Sequence, residues 1–296
     1  KDPTRSGRMP RKTIYGDYKF FKKRMGDVAD GFLLAYSGMR KLAQSPVATF
    51  PWVVERPFKT YPELLDYLNS WDPREQETRS VQELAEQYGE YWRGRQELFE
   101  DITLVGGETY VTLWTFFVIH LGYPFLARLI HQDIDVFDES VAKFAAVTKK
   151  YQEAWARTGI KAFLQHDDIA TENGPVMSPE WFKEHLFPHY REMWKPFKER
   201  GINVVNLSDG NHTPLFEGYV EAGSDGFQVC GDANLSHAEF EELYEKWGGK
   251  KVLIFQPNRE TMMYGTEKET IAEIEFMTSL AKKYNGAFLQ LSLIHI

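Results

Sequence analysis

Cysteine is nearly absent: Cys230 stands alone among 296 residues, which excludes an intramolecular disulfide framework and any metal cage built only of thiolates. Positive charge is also in short supply. Lysine and arginine number 35 against 43 acidic residues, a net charge of −8, and the basic opening stretch 1–24 is interrupted by Asp2, Asp17 and aromatics. The cationic footprint that binds phosphates is missing, and no nucleic-acid partner is expected. No long apolar run is uninterrupted. The best, 111–130, contains Thr112, Thr115, His120, Gly122 and Pro124, so it reads as a buried loop plus helix and not as a membrane span. A secretory signal pattern is lacking, which makes a cytoplasmic setting the expectation. Neither G-x-G-x-x-G nor G-x-x-x-x-G-K-[ST] occurs, which weighs against an open, doubly wound nucleotide-binding sheet. The triplets at Asn206, Asn211 and Asn234 match an N-glycosylation pattern so short that they read as chance.

What is present is a regular alternation of short apolar runs with amphipathic, well-punctuated helical stretches. Strand candidates are 160–165, 202–207, 226–229, 251–255 and 287–290, with 102–105 and a weaker 47–54 upstream. A helix is expected over 61–71. Another opens at Ser178-Pro179-Glu180, is bent or divided at Pro188, and ends at Gly201. Ser236 with Glu239 and Thr266 with Glu269 fit capping boxes, and Asn285-Gly286 closes the last helix. This βα alternation predicts an α/β fold with a mostly parallel sheet, specifically a (β/α)8 TIM-type barrel with an N-terminal helical extension. Residues 1–290 then form one domain, 1–100 supplying the extension and first strand and 101–290 the barrel. The tail 291–296 (LSLIHI) resembles a translated transposase adapter and is set aside as non-native. With no initiator methionine before Lys1, the chain reads as clipped at both ends.

Polar clusters follow the strands: Gly107-Glu108, His166-Asp167-Asp168, Ser208-Asp209-Gly210-Asn211, Cys230-Gly231-Asp232 and Gln256-Pro257-Asn258-Arg259. In a barrel these meet at one mouth, where chemistry sits. Asp167 and Asp168 are candidate catalytic acids, but neighbours on a strand point to opposite faces and do not form a close dyad. Asp209, coupled to one of them, is the stronger candidate for a general acid or metal ligand. His212, three residues on, is placed to join it. His166, Asn211, Gln256 and Arg259 are substrate-binding candidates, the arginine as a bidentate partner for a carboxylate. His120, His131, His185 and His189 read as structural, the last two despite their i, i+4 spacing, because their helix packs outside the barrel. Of the aromatics in 114–125 most read as core, with a fraction available to line a pocket for a planar substrate.

The runs Gln165-His166-Asp167-Asp168, Asn173-Gly174-Pro175-Val176-Met177-Ser178-Pro179-Glu180, Asn206-Leu207-Ser208-Asp209-Gly210-Asn211 and Glu221-Ala222-Gly223-Ser224-Asp225-Gly226 follow in that order. Over about 130 residues the pattern resembles the uroporphyrinogen decarboxylase superfamily. The resemblance implies a (β/α)8 barrel whose members are porphyrinogen decarboxylases or zinc-dependent methyltransferases serving corrinoid proteins or thiols. Two features depart from it. The arginine-rich signature of the decarboxylases has only Ser37-Gly38-Met39-Arg40-Lys41 as its nearest text, and the His-x-Cys zinc pair of the methyltransferases is replaced by Leu207 and Asp209. A zinc ion would therefore draw on Asp209, His212 or Cys230. The resemblance points first to a methyltransferase moving a methyl group from a small donor, such as an O-methyl aromatic, to a corrinoid (cobalamin) protein. The alternatives are porphyrinogen decarboxylation and a non-catalytic barrel.

Overall fold

The computed structural model describes residues 41–44, 51–99, 104–284 and 287–289. The expectations for 1–24, the 291–296 tail, the 47–50 half of the 47–54 strand and the Asn285-Gly286 stop lie outside them; 51–54 fall in a strand as expected. Strands β1 (Lys41–Gln44) and β2 (Pro51–Glu55) pair antiparallel. Helix Tyr61–Ser70 follows, opened by a Thr60/Glu63 capping box, and then helix Val81–Phe99. These helices pack through aromatics onto the main body: Trp71 lies 5.8 Å from Phe116 and Tyr88 stacks on Trp155 at 4.7 Å.

The main sheet contains β3 (Gly107–Tyr110), β4 (Ala162–His166), β7 (Asn203–Leu207), β8 (Gly226–Val229), β9 (Val252–Phe255) and β10 (Ala287–Leu289). Between β4 and β7 lies a small hairpin, β5 (Ala170–Thr171) with β6 (Gly174–Pro175). All six main strands are parallel and lie in chain order, β3-β4-β7-β8-β9-β10. That order separates two architectures. A doubly wound sheet reverses direction at a switch point; here the winding advances one way throughout, as in a barrel wall. The helices accordingly cover one face. Phe163 stacks on Phe197 at 4.3 Å, Phe227 on Phe216 at 4.1 Å, and Phe255 meets Tyr244 at 4.7 Å. On the opposite face Tyr110, Leu164, His166, Leu207 and Ile254 are only partly covered. The α/β fold and parallel sheet are as expected. A sheet closed on itself is not seen among the described residues.

Two expected boundaries moved. Of the strand expected at 102–105, residues 102 and 103 lie outside the described residues and 104 and 105 are in no strand; the first strand of the main sheet is Gly107–Tyr110. Its inward positions are Gly107 and Thr109, a half-buried alternation that a search for apolar runs passes over, and Leu104 is left 57% exposed. Gly107 is required by packing: a Cβ there would lie 2.9 Å from Ile160 and from Trp155. The stretch opened by Ser178 divides at Leu186 into helices Pro179–His185 and Phe187–Lys198, Pro188 sitting in the first turn of the second, where its missing N–H costs nothing. The apolar run 111–130 becomes helices Trp114–Leu121 and Tyr123–Gln132, broken at Gly122 with φ 76°. Among the described residues no helix is long and apolar enough to cross a membrane.

Candidate functional site

Parallel strands deliver their C-terminal ends to one rim, and β4 and β7 are neighbours. From β4, His166 and Asp168 turn to the open side, where His166 Nε2 pairs with Asp168 Oδ1 at 2.8 Å. Asp168 is fixed at its backbone, its N–H donating to Thr115 Oγ1 at 2.6 Å. Tyr110, from the end of β3, donates to Asp168 Oδ2 at 3.3 Å and sets its ring edge-on to His166 at 4.5 Å. From β7, Asp209 arrives through a turn at Gly210, whose φ is 77°. A Cβ there would lie 2.4 Å from the Thr171 carbonyl oxygen, so this turn demands glycine. One donor atom each from His166, Asp168 and Asp209 all lie within 4.8 Å of one another.

The next two strand ends back this group. Cys230 Sγ lies 3.5 Å from Asp209 Oδ1 and donates to Gln256 Oε1 at 3.2 Å, an oxygen that also accepts the Gly231 N–H. Asp232 accepts the Gly210 N–H at 2.9 Å and meets Arg259 at 3.4 Å. Electrostatics divides the acids. Burial opposes ionisation of Asp168, but the hydrogen bond and charge of His166 hold its carboxyl below the usual value. Asp209 is pushed up by burial and by the charge of Asp168. Burial works against a charge on His166, yet Asp168, with help from Asp209, raises its pKa overall. The Cys230 thiol is pushed far up by burial and by Asp232, which keeps it protonated.

A family model described as "Uroporphyrinogen decarboxylase (URO-D)" matches residues 53–287. The chain belongs to the uroporphyrinogen decarboxylase (URO-D) family. No curated protein matches the sequence. Among solved structures, a methyltransferase from Methanosarcina mazei is similar at a TM-score of 0.62 and 14% identity, over 86% of this chain and 70% of its own; at that identity the likeness speaks for the fold. CpGH84B matches 45% of this chain and 29% of its own at 13% identity with a TM-score of 0.31, too low to argue from.

Within this URO-D chain the candidates read from sequence part company. His166, Asp168 and Asp209 converge. Asp167 does not join them: it is fully buried on the other side of the strand, accepting from the amides of Leu113, Trp114 and Thr115 at 2.7–2.9 Å and from the Tyr190 hydroxyl at 2.6 Å. Its carboxylate thereby anchors the N-terminus of helix Trp114–Leu121. His212 also turns inward, its ring fully buried against Phe216 and Tyr219 and its Nε2 on the Gln228 carbonyl at 2.6 Å. Burial lowers its pKa to about 4. Asn211 caps Thr213 through its amide oxygen, Gln256 is buried among Cys230 and Gly231, and Arg259 remains half open beside Asp232. Trp114, Phe116 and Phe117 are core, so the aromatic stretch lines no pocket through them. Asn206 is buried in β7, as a chance glycosylation triplet should be.

Sequence reasoning passed over Tyr110, Thr115 and Asp232. Asp232 stood in a recognised polar cluster and was not singled out. Tyr110 was hidden by the displaced strand.

Proposed function

We propose that this URO-D family chain is a methyltransferase, on the corrinoid-dependent side of its family, passing a methyl group from a small O-methylated aromatic donor to a corrinoid protein docked at the mouth. The convergence of His166, Asp168 and Asp209 within 4.8 Å carries the reading. An ether oxygen is a poor leaving group and needs a proton or a Lewis acid as the bond to methyl breaks. The carbon–oxygen bond breaks with its electron pair on oxygen, the reduced corrinoid contributes the pair for the new bond to carbon, and Asp209 gives its proton to the departing oxygen. Asp168, held below the usual carboxylate value, orients His166, and burial together with the charge of Asp168 favours the protonated form of Asp209.

The resemblance also implies zinc, and the donor set fits it: one imidazole nitrogen and two carboxylates are accepted zinc ligands, with Cys230 remaining a thiol behind them. Held by His166, Asp168 and Asp209, the ion would supply Lewis acidity to the same oxygen in place of the proton. Porphyrinogen decarboxylation is less well supported. Its substrate carries eight carboxylates, whereas this rim presents Asp168, Asp209 and Asp232, with Arg259 already engaged by the last. We read the one-way sheet as the wall of a (β/α)8 barrel in a single domain over 1–290.

The test incubates the chain with cob(I)alamin and a panel of methoxybenzoates and methoxyphenols, and in parallel with uroporphyrinogen. Methylation of the cobalamin is expected in the wild type, slowed about a hundredfold or more in Asp209→Ala, with uroporphyrinogen untouched. Loss of carbon dioxide from uroporphyrinogen without methylation would overturn the proposal, and so would inertness to both.

A further inference from the structure

The rim residues Gln256 and Arg259 follow β9 in a loop whose first amide, that of Gln256, still donates to the Val229 carbonyl of β8 at 3.0 Å, and the loop is tied down from outside the rim as well. Glu273, in the middle of helix Glu267–Lys283, is 5% exposed. Its Oε1 accepts the backbone N–H of Asn258 at 2.8 Å and its Oε2 pairs with His237 Nε2 at 2.7 Å. His237 opens helix His237–Trp247 and stacks flat on Phe276, one turn along from Glu273, at 3.7 Å. A buried carboxylate thus gathers the loop after β9 and the helix after β8. What it holds is specific. The Asn258 side chain accepts the Thr261 N–H at 2.9 Å and starts helix Arg259–Tyr264, which has no buried residue of its own to fix it. Arg259 N–H donates to the Gly231 carbonyl at 2.7 Å, and its guanidinium meets Asp232, which in turn holds the Gly210 amide beside Asp209.

From this we propose that Glu273 is a positioning residue, acting through the Asn258 amide to set where Arg259 stands at the rim. A helix with no fully buried side chain is held only weakly by packing, so the hydrogen bonds at its first residues, beside the longer one from the Thr270 hydroxyl to the Thr261 carbonyl at 3.4 Å, set its position. A carboxylate buried on one helix and bonded to an amide on another loop is costly unless both partners are kept. The bearing of this device on catalysis rests on the reading of the rim given above. Its effect on the loop does not.

Amide hydrogen exchange on the full chain tests it, comparing wild type with Glu273→Leu, which removes the acceptor, and Glu273→Gln, which keeps an oxygen for the Asn258 amide. Exchange across 258–264 is expected to rise at least tenfold in Glu273→Leu and to return to within about threefold of wild type in Glu273→Gln. Zinc alone, titrated as a probe of His166, Asp168 and Asp209, should bind with unchanged affinity in both. Unchanged exchange in Glu273→Leu would overturn the proposal. A rise spread evenly over the chain, or no rescue by glutamine, would also do so by showing a general stabilising role. Failure of methyl transfer with the local exchange result intact would count against the function alone.

Discussion

His212 is a buried base whose charge the fold suppresses, and the sign of its effect on stability follows from that. Its pKa falls to about 4 in the folded chain, from burial, against 6.5 when exposed. The unfolded chain therefore binds the extra proton between those values, and stability present above pH 6.5 is lost as pH falls toward 4. Moving from pH 7 to pH 5 should cost about 2 kcal/mol through this residue. Urea melts at the two pH values, for wild type and His212→Asn, would show the variant losing about that much less; equal losses would assign the pH dependence elsewhere. Asp209 has the opposite use for its raised pKa. As an acid it works only protonated and with no ion bound, so the methyl-transfer rate of the chelator-treated chain should fall as pH rises through its pKa, and the fall should vanish from the residual rate of Asp209→Asn. A rate that climbs with pH would make Asp209 a base. Acid and imidazole residues just past strand ends made His166, Asp168 and Asp209 legible in the sequence. The inward turns of Asp167 and His212 were not, because which side of the sheet a residue faces depends on where the strand stops and how the chain turns afterwards.

Asp167 belongs to the helix it anchors. Replacing it by alanine strands three amides and the Tyr190 hydroxyl in a buried region, which should cost about 3 kcal/mol or more, whereas Tyr190→Phe removes one donor and should cost about 1 kcal/mol. Denaturant midpoints distinguish these. Similar, small losses in both would show that the helix end is held by packing instead. Capped helices were read well: Ser236 with Glu239 and Thr266 with Glu269 form the boxes their spacing announced, because capping is a local exchange of hydrogen bonds. β3 was misplaced because its location is decided by tertiary fit. Gly107 fills a gap beside Trp155 that admits no side chain, and nothing within Gly-Glu-Thr-Tyr advertises it. The loop held by Glu273 was invisible for the same reason, its anchor lying 15 residues away on another element.

Across the whole molecule, the one-way strand order brings successive strand ends to a single rim, and the rim is where an imidazole and two carboxylates meet. The motif order visible in the sequence extends into a family match over residues 53–287, since spacing between strands is a property of the fold that survives wide divergence of the residues between. Which side chains complete the centre is another matter. A ligand set of Asp209, His212 and Cys230 was expected from position along the chain, and the fold assembles His166, Asp168 and Asp209, with the histidine and first aspartate supplied by the neighbouring strand. Zinc stoichiometry on the purified chain and four variants tests this most directly. One zinc per chain is expected, lost in His166→Gln and Asp209→Asn and retained in Cys230→Ser and His212→Asn. Loss of the ion in Cys230→Ser or His212→Asn with retention in His166→Gln, or no zinc bound at all, would contradict it.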